Sequence, residues 1–390
     1  MAYTGSGTQA DPYLVGTAED FLNCVATNYG VTASASINLY IKLSADLDFT
    51  GKGSKTININ GQDSGYNYRR IYIDGDGHGF YNIALINNPL FVKSNSGSTV
   101  NTVWYFSNLT IEAMITVNST NSSYVGNYTQ NNSWIFADGC GNLTFNNCTV
   151  HFKFYNMIFI ASDPLCFYLP LGRDDSYHPI YNQNYDVIYK SNIVIDYYNC
   201  GPKSFMCINN KKCNTSYVHR IRDSIIKISY YDENGWALVT NEHDANFLNA
   251  RDGYRGGGCV SLIDGADQSY QSYNEYKLSI VNSGIFVRYY AETNMNGKVN
   301  MGIIKDCKLA NTYIVYECKG SVYLYPRLST CAFETYVFYD ADKAPDLYNA
   351  YPTWAGGSYQ LAALTTAQCK SRLSFEGPDA IIPFKLKQTT

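Results

Sequence analysis

The sequence predicts an all-β chain in which short parallel strands stack into a solenoid, with a short capping helix at each end. Apolar residues alternate with polar ones in many short segments, which is the period of a half-buried strand. Six of those segments follow an Asn or Asp, and helical patterns occur only near the two ends. At 390 residues the chain is too long for one ordinary compact core, whereas a solenoid grows by adding coils. An ordinary β-sandwich also has short alternating strands and is the alternative.

The first 30 residues predict an N-terminal cap. In residues 5–21, GSGTQADPYLVGTAEDF, a short apolar strand is followed by Thr17 and Asp20, which are spaced almost like a capping box. We expect a helix from about Ala18 to Asn28, ended by Gly30. Its apolar face would cover the open end of the sheets and prevent pairing with other chains. The residues of that face are Phe21, Leu22 and Val25.

Residues 31–340 predict the body of the solenoid, with loops inserted between its strands. Leu39, Ile41 and Leu43 alternate with polar residues, and later segments repeat this pattern. Stacked coils bury their inward side chains in a continuous column, and a polar residue before each strand supplies the tight turn. The six strands led by Asn or Asp lie 24 to 59 residues apart, and they start at Asn108, Asn147, Asn192, Asp223, Asn282 and Asp306.

Residues 341–390 predict a closing segment. Pro345, Pro352 and two consecutive glycines loosen the pattern, so we expect the stack of coils to end near Tyr339. Thr365 and Gln368 then form a second capping box and open a short helix that reaches about Arg372.

Composition excludes several classes of partner. The net charge is −4 with no long basic run, which argues against nucleic acid and anionic membranes. We expect no membrane span, no secretory signal in the opening residues and no cofactor. Among the 12 cysteines only Cys200, Cys207 and Cys213 lie close together, without a histidine at ligand spacing, so no metal site is predicted. Buried cysteines of a reducing cytoplasm explain the count.

Eight Asn residues stand in N-x-S/T sequons, which would mark glycosylation in a secreted eukaryotic protein. With no signal peptide and with so many Asn, Ser and Thr, we interpret them as chance occurrences. They are Asn108, Asn118, Asn121, Asn127, Asn131, Asn142, Asn147 and Asn214.

Three stretches carry a resemblance to a known group of proteins. They are residues 5–21, then Tyr40 to Phe49 (YIKLSADLDF), and Ile73 to His78 (IDGDGH). They are similar to the N-terminal signature of right-handed parallel β-helix surface proteins of bacteria and their phages. Residues 364–368 are similar to the segment that closes many of them. The likeness covers about residues 5–115 well and 361–384 loosely.

That resemblance implies an extracellular or virion β-helix, often trimeric in phages, that attaches to surface glycans or cuts them. Bacterial members usually carry secretion signals. Because we see none here, the resemblance favours a phage structural protein that is assembled in the host cytoplasm and released by lysis.

Several charged groups are candidates for polysaccharide chemistry, which on this fold uses paired carboxylates or a carboxylate with Arg or Lys. A turn or a solvated loop explains each group as well, so we assign no catalytic, cofactor-binding or metal-binding residue. The candidates are Asp74, Asp76 and His78; Asp232 and Glu233; Glu242, His243 and Asp244; Arg251, Asp252 and Arg255; and Arg173, Asp174 and Asp175 beside Tyr177 and His178.

The 37 tyrosines are a second functional signal. The pairs Tyr197-Tyr198, Tyr230-Tyr231 and Tyr289-Tyr290 must each place one ring outward if they lie in strands. Outward rings can stack on sugars, can pack against neighbouring subunits, or can simply reflect the strand preference of Tyr. The residues that crowd the central third are Tyr124, Tyr128, Tyr155, Tyr168, Tyr177, Tyr181, Tyr185, Tyr197 and Tyr198.

The function we expect first is that of a non-enzymatic phage fibre or spike that binds host-surface polysaccharide or other virion proteins. We expect a homo-oligomer, and the resemblance implies a trimer. The first alternative is a polysaccharide depolymerase, a hydrolase or lyase, for which Glu242, Asp244 and Asp252 would be the first residues to substitute. The second alternative is a bacterial surface adhesin.

Overall fold

A computed structural model describes 19 segments of the chain. These are residues 3–29, 37–57, 68–86, 88–93, 101–116, 136, 140–155, 169–170, 185–198, 208–209, 219–232, 261–264, 278–291, 298–305, 307–320, 323–329, 331–345, 347–350 and 361–369. Most of them lie in strands, with one long helix, α1 (Ala18–Tyr29), before the body of the fold.

The strands follow one another along the chain with few other elements between them. In chain order they are β1 (Tyr13–Val15), β2 (Ile37–Leu43), β3 (Leu47–Asp48), β4 (Lys55–Ile57), β5 (Tyr68–Asp74), β6 (Gly79–Ile86), β7 (Phe91–Lys93), β8 (Asn101–Ser107), β9 (Thr110–Thr116), β10 (Cys140–Asn146), β11 (Thr149–Tyr155), β12 (Leu169–Pro170), β13 (Tyr185–Tyr189), β14 (Asn192–Tyr198), β15 (Ile208–Asn209), β16 (His219–Arg222), β17 (Ile225–Asp232), β18 (Ser261–Asp264), β19 (Leu278–Val281), β20 (Gly284–Ala291), β21 (Lys298–Lys305), β22 (Cys307–Ala310), β23 (Thr312–Gly320), β24 (Tyr323–Ser329), β25 (Ala332–Phe333), β26 (Val337–Asp340), β27 (Tyr348–Ala350) and β28 (Leu361–Leu364).

The strands form three long sheets and one short one. Sheet A has the order β1-β2-β5-β8-β10-β13-β16-β19-β22-β25, and sheet B has the order β3-β6-β9-β11-β14-β17-β20-β23-β26-β28. Sheet C has the order β12-β15-β18-β21-β24-β27, and sheet D pairs β4 with β7. Sheets A and B therefore take one strand from each successive coil, and sheet C takes one from each coil from β12 onward.

Pairing between coils is parallel, and most strand pairs keep one register along their length. For example, β14 pairs with β17 and β17 with β20, so that Ile195, Ile228 and Val287 lie side by side. Every ladder between the strands named above is parallel, which is the arrangement of a solenoid and not of an antiparallel sandwich. The predicted all-β parallel solenoid is confirmed at this level.

Inward side chains form continuous apolar columns, as the alternation predicts. Each column member is at most 1% exposed, so the core is continuous from coil to coil. One column of sheet A is Ile41, Ile73, Phe106, Phe145, Ile188, Ile221, Ile280 and Leu309. One column of sheet B is Ile111, Val150, Ile193, Ile226, Ile285 and Ile314.

Helix α1 packs against the first coils. The Thr17 hydroxyl accepts a hydrogen bond from the Asp20 backbone N–H at 3.1 Å, which confirms the predicted cap. Phe21 is fully buried, and its ring centroid lies 4.8 Å from that of Phe80 and 6.1 Å from that of Phe49. The helix thus closes the apolar interior at its N-terminal side.

The corners between sheet A and sheet B use a residue in the left-handed conformation. Asn and Asp tolerate this conformation better than other residues with a side chain. The corner residues, with φ between 46° and 55°, are Asn108, Asn147, Lys190, Asp223, Asn282 and Asn311. Four of the six predicted Asn/Asp positions are therefore corners.

One predicted corner, Asn192, was wrong, and the prediction for Asp306 is not tested. Asn192 is the first residue of β14 and pairs with Thr149, while the corner of that coil is Lys190. The strand that follows position 306, β22, belongs to sheet A, and the corner of that coil is Asn311. Asp306 itself lies outside the described residues.

Amide side chains connect successive corners. The Asn147 Nδ2 donates to Asn108 Oδ1 at 2.9 Å, and the Asn108 Nδ2 donates to Asp74 Oδ1 at 3.0 Å. Farther along, the Asn311 Nδ2 donates to Asn282 Oδ1 at 2.9 Å. Asn108 and Asn147 also stand in sequons, and their amides serve this ladder.

The residue after each corner is buried, and in the central coils it is a serine. The Ser224 hydroxyl donates to Arg222 O at 2.8 Å and accepts from the Ser191 N–H at 3.2 Å. In the same way, the Ser283 hydroxyl accepts from the Ser224 N–H at 3.2 Å, and the Ser191 hydroxyl accepts from the Cys148 N–H at 3.0 Å. These hydroxyls satisfy backbone groups that have lost contact with water.

The stack does not end near Tyr339 as predicted. β27 and β28 add one more strand each to sheets C and B. A helix then begins at Thr366, where the Thr365 N–H donates to Gln368 Oε1 at 2.8 Å and the Gln368 N–H donates to Thr365 Oγ1 at 3.2 Å. The second capping box is confirmed. Apart from that end of the stack, the division into regions 1–30, 31–340 and 341–390 stays a prediction.

The C-terminal segment covers part of the outer surface of sheet B. Asp340 is 2% exposed, and both of its carboxylate oxygens lie 2.9 Å from the hydroxyl of Thr366. Nearby, the buried Cys369 packs with Ile225 and Tyr313, which point away from the interior of the solenoid. One end of this outer surface is thus apolar and covered.

Candidate functional site

The remaining outward side chains of sheet B form a polar surface, which we call the B face. It comprises the outward residues of β9, β11, β14, β17, β20 and β23. Because the strands are in register, these side chains stand in columns that run across the coils. Its described charged residues are Glu112, His151, Lys153, Asp196, Lys227, Arg288 and Glu317.

One column of the B face consists of stacked tyrosines. The ring centroids are 4.6 Å apart from Tyr155 to Tyr198, 4.8 Å from Tyr198 to Tyr231, and 5.4 Å from Tyr231 to Tyr290. The rings are within 14° of parallel, so each inner ring has its faces covered by its neighbours. Ring edges and hydroxyls, not ring faces, are what this column offers to a ligand.

Burial changes the acidity of these phenols. It raises the pKa of Tyr198 to about 12, and the neighbouring Asp196 carboxylate contributes in the same direction. Burial and the Glu317 carboxylate likewise raise the pKa of Tyr290. The hydroxyls therefore stay protonated at neutral pH and can donate hydrogen bonds.

His151 and Asp196 form a close pair beside the tyrosine column. The His151 Nε2 lies 2.6 Å from Asp196 Oδ2. The Asp196 side chain is 11% exposed and that of His151 is 34% exposed. The carboxylate is therefore largely covered by its neighbours on the B face, while the ring reaches solvent. An imidazole oriented by a buried carboxylate can accept or donate a proton at its other nitrogen.

Glu317 collects three partners on the neighbouring coils. Its carboxylate lies 3.5 Å from Arg288 Nε and 3.8 Å from Lys343 Nζ. The Tyr290 hydroxyl donates to Glu317 Oε2 at 3.4 Å. One carboxylate thus serves two cations and one phenol.

Lys227 lies between these groups, and no carboxylate of the described residues is within ion-pair distance of it. By register it stands between Val194 and Phe286 on the adjoining strands. Burial among these groups lowers the pKa of Lys227, and the nearby Arg288 lowers it further, while Asp196 acts in the opposite direction.

The predicted acidic turn serves the fold. The Asp74 carboxylate accepts from the Asp76 N–H at 3.1 Å, and Asp76 forms an ion pair with Lys42 at 2.8 Å. His78 Nδ1 lies 3.4 Å from the Asp46 carboxylate. These contacts hold a corner between coils, and they leave Asp74, Asp76 and His78 apart from the B face.

No side chain of the other predicted charged groups is described. Asp232 ends β17, but its side chain is not described. The remaining candidates lie outside the described residues: Glu233, Glu242, His243, Asp244, Arg251, Asp252, Arg255, Arg173, Asp174, Asp175, Tyr177 and His178, together with Cys200, Cys207 and Cys213.

The prediction about tyrosine pairs is confirmed where both rings are described. Tyr197 and Tyr230 are 2% and 1% exposed and stack inside the solenoid at 4.7 Å, while Tyr198 and Tyr231 stack outside. A second outer column, on sheet A, is Tyr40, Tyr72 and Tyr105, with centroids 4.5 Å apart at both steps.

Sequence reasoning missed the charged columns of the B face. The sequence does contain a signal for them. The residue that precedes each aromatic pair, or that stands at the matching position of a strand without such a pair, falls in one column by register. That column is Lys153, Asp196, Ser229, Arg288 and Glu317. If the strand sequences are aligned on their outward tyrosines, the residues of this column fall at the same position.

Metal and membrane features can be assessed for the described segments. There, no group of three or more His, Cys, Asp or Glu side chains could hold a metal ion. No helix in the same segments is long and apolar enough to cross a membrane. Five described cysteines are buried, as expected for small apolar side chains: Cys24, Cys148, Cys307, Cys331 and Cys369.

Comparison with known proteins adds little to this description. No family model matches the sequence, and no curated protein matches it either. One solved structure is similar, that of a "putative immunoglobulin A1 protease" from Bacteroides ovatus, with 13% sequence identity over 97% of this chain and 93% of that chain. Its TM-score is 0.32, so it supports no argument about function. The fold and the B face together define a parallel β-solenoid with an aromatic and charged outer surface.

Proposed function

We propose that the chain is an attachment protein, a fibre or spike of a phage virion, which binds a host-surface polysaccharide on the B face without cutting it. The proposal takes the solenoid to be a right-handed parallel β-helix, the hand found in almost all crossovers between parallel strands. The resemblance of residues 5–115 to surface β-helices favours this role.

The stacked tyrosine column is the observation that carries the proposal. Four rings hold hydroxyls in a line across four coils, at the regular spacing of the strands, beside a column of charged side chains. A polymer with hydroxyls and charges at regular intervals is complementary to such a surface. Water-exposed phenols with apolar bodies are also typical of recognition surfaces.

The experiment compares two conservative variants. Purified wild-type protein is titrated into surface polysaccharide prepared from candidate host bacteria, and binding is followed by calorimetry. Tyr198→Phe removes one hydroxyl from the B face and is expected to weaken binding about tenfold, the effect of one or two lost hydrogen bonds. Tyr72→Phe makes the same change on sheet A and is expected to leave binding unchanged. Equal affinities for all three proteins would contradict the proposed site.

The assembly is also a proposal. Fibres of this resemblance are often trimeric, and we propose a homotrimer that joins other virion proteins. Light scattering gives the oligomeric state directly. Mass spectrometry of purified virions distinguishes a virion component from a bacterial surface adhesin, for which the same binding face would serve.

A polysaccharide depolymerase is the second candidate, and one observation favours it. The His151 and Asp196 pair, 2.6 Å apart, has the form of a general base or acid with an orienting carboxylate, next to the proposed ligand surface. If the chain cuts glycans there, new reducing ends form with wild type and are lost in His151→Ala, while Glu242→Gln stays active. Absence of new ends with wild type supports attachment alone.

A further inference from the structure

Lys227 and Arg288 lie on adjoining strands of the B face and flank one small residue. Ser229 pairs in register with Arg288, and Lys227 is two residues before Ser229 on β17. The two cations are therefore diagonal neighbours across Ser229, which is 6% exposed. The two positively charged side chains therefore stand on the same outward face, one strand and two residues apart, with Ser229 and Phe286 at the other two positions of the diagonal.

Lys227 has no carboxylate partner within ion-pair distance among the residues that the structure describes. Asp196, on the previous coil, is engaged by His151 at 2.6 Å. The ammonium is half-buried near Val194 and Phe286, and burial lowers its pKa, with a further contribution from Arg288. A cation placed beside another cation and partly removed from water is unfavourable unless an anion joins them.

Arg288 is only partly neutralised. Among the residues that the structure describes, its ion pair is with Glu317, at 3.5 Å, and Glu317 is shared with Lys343. The Arg288 side chain is 55% exposed, so its guanidinium can turn towards a ligand. Arg288 and Lys343 thus share the Glu317 carboxylate, and the carboxylate that acts on Lys227, Asp196, is bonded to His151.

We propose that Lys227 and Arg288 bind an oxyanion substituent of the polysaccharide, so that the ligand of the B face is an acidic glycan. The inference rests on the proposed function and adds the chemical class of the ligand. A carboxylate, sulfate or phosphate group between the two cations accepts hydrogen bonds from the ammonium and from the guanidinium. The tyrosine hydroxyls hold the neighbouring sugar units.

The site is tested first without any polymer. Lysine reactivity is measured by limited acetylation and mass spectrometry in the presence of sodium sulfate, sodium galacturonate or galactose. We expect the two anions to slow acetylation of Lys227 several-fold and galactose to have no effect. Lys308, which pairs with Glu334 on sheet A at 3.5 Å, is the internal control and should not respond. No protection by either anion, or equal protection by galactose, overturns the site.

Polymers then separate this inference from the proposed function. Polygalacturonate should bind the wild type, and Lys227→Met and Arg288→Gln should each weaken it at least tenfold, more at low salt than at high salt. Lys308→Gln should bind as the wild type does. Equal binding of neutral dextran overturns the acidic class and leaves attachment standing. If the protein binds neither of these polymers and no host polysaccharide, attachment is overturned. The acetylation experiment still decides whether the anion site exists.

A nucleic acid would offer the same phosphate chemistry. A single-stranded oligonucleotide is therefore included at equal charge concentration. Stronger protection of Lys227 by the oligonucleotide than by polygalacturonate would overturn the glycan assignment.

Discussion

Tyr198 stacks on Tyr231 with ring centroids 4.8 Å apart and ring planes 11° from parallel. This separation equals the usual distance between neighbouring strands, so the side chains repeat the spacing of the backbone. The column therefore links the stability of the coils to the surface that we propose binds the ligand.

Removal of an inner ring of this column should cost more than removal of an end ring. Tyr198→Ala loses stacking on both Tyr155 and Tyr231, whereas Tyr155→Ala loses one described stacking partner. We expect about 1–3 kcal/mol for Tyr198→Ala and about half of that for Tyr155→Ala. Urea denaturation of the two variants measures the difference, and equal losses would show that stacking contributes little.

The corner at Lys190 should be improved by asparagine. Lysine at φ 47° is strained, whereas Asn occupies most of the other corners between sheets A and B. Lys190→Asn should stabilise the chain by about 1 kcal/mol, partly offset by the loss of the contact between the ammonium and the Tyr189 ring. The reciprocal change, Asn147→Lys, should cost about 1–2 kcal/mol. A destabilised Lys190→Asn variant would contradict this account of the corners.

The serine ladder should tolerate cysteine better than alanine. In Ser224→Ala, the Ser191 N–H and the Arg222 carbonyl both lose a buried partner, at a cost of about 1–3 kcal/mol. Ser224→Cys keeps a weak donor, as Cys148 does naturally at the equivalent position, 3.4 Å from Asn146 O. Thermal unfolding of both variants ranks them, and the reverse order would rule out hydrogen bonding as the role of this residue.

Asp340 should control whether the C-terminal segment stays docked. Its buried carboxylate accepts from the Thr366 hydroxyl and from the backbone N–H groups of Asp342 and Lys343. Asp340→Ala removes these bonds, so limited proteolysis should cleave after residue 361 much faster, by about tenfold or more. Thr366→Val removes only the hydroxyl and should give a smaller increase. Unchanged cleavage in both would mean that apolar packing alone holds the segment.

The Lys227 charge should make the wild type less stable than Lys227→Met at neutral pH. The pKa of this lysine is lowered in the folded state, so protonation favours the unfolded state. Because the group is half exposed, the difference should be less than about 1 kcal/mol at pH 7. It should shrink as the pH rises from the folded pKa towards the unfolded value, because the penalised charge is then lost. Urea midpoints at pH 7 and pH 9.5 test this, and a gap that widens with pH would contradict it.

The fold could be predicted in outline from the sequence because the local signals agree with it. The cap at Thr17, the alternation from Leu39 and the corners at Asn108 and Asn147 all follow from short-range chemistry. Lys190 could not be recognised as a corner, since lysine has no preference for a left-handed backbone. The buried Ser191 and the inward Ile193 after it are the signal that would have located it.

The B face could not be predicted because register between coils decides which charges meet. His151 and Asp196 are 45 residues apart, and the length of the inserted loop hides their proximity. The sequence suggested the charged loops as candidate sites, whereas His151 and Asp196 lie at outward positions of strands. The tyrosine pairs were predicted to split between inside and outside, but their mutual stacking, which covers the ring faces, depends on neighbouring coils.

The most direct test of attachment without cleavage is size-exclusion chromatography, with light-scattering detection, of the protein mixed with acidic polysaccharide from the host surface. We expect that the two elute together, that Tyr198→Phe and Lys227→Met elute largely apart from the polymer, and that the polymer recovered afterwards has its original molar mass. A shortened polymer would identify a depolymerase, and a polymer of full length that never elutes with the protein would contradict the binding role of the B face.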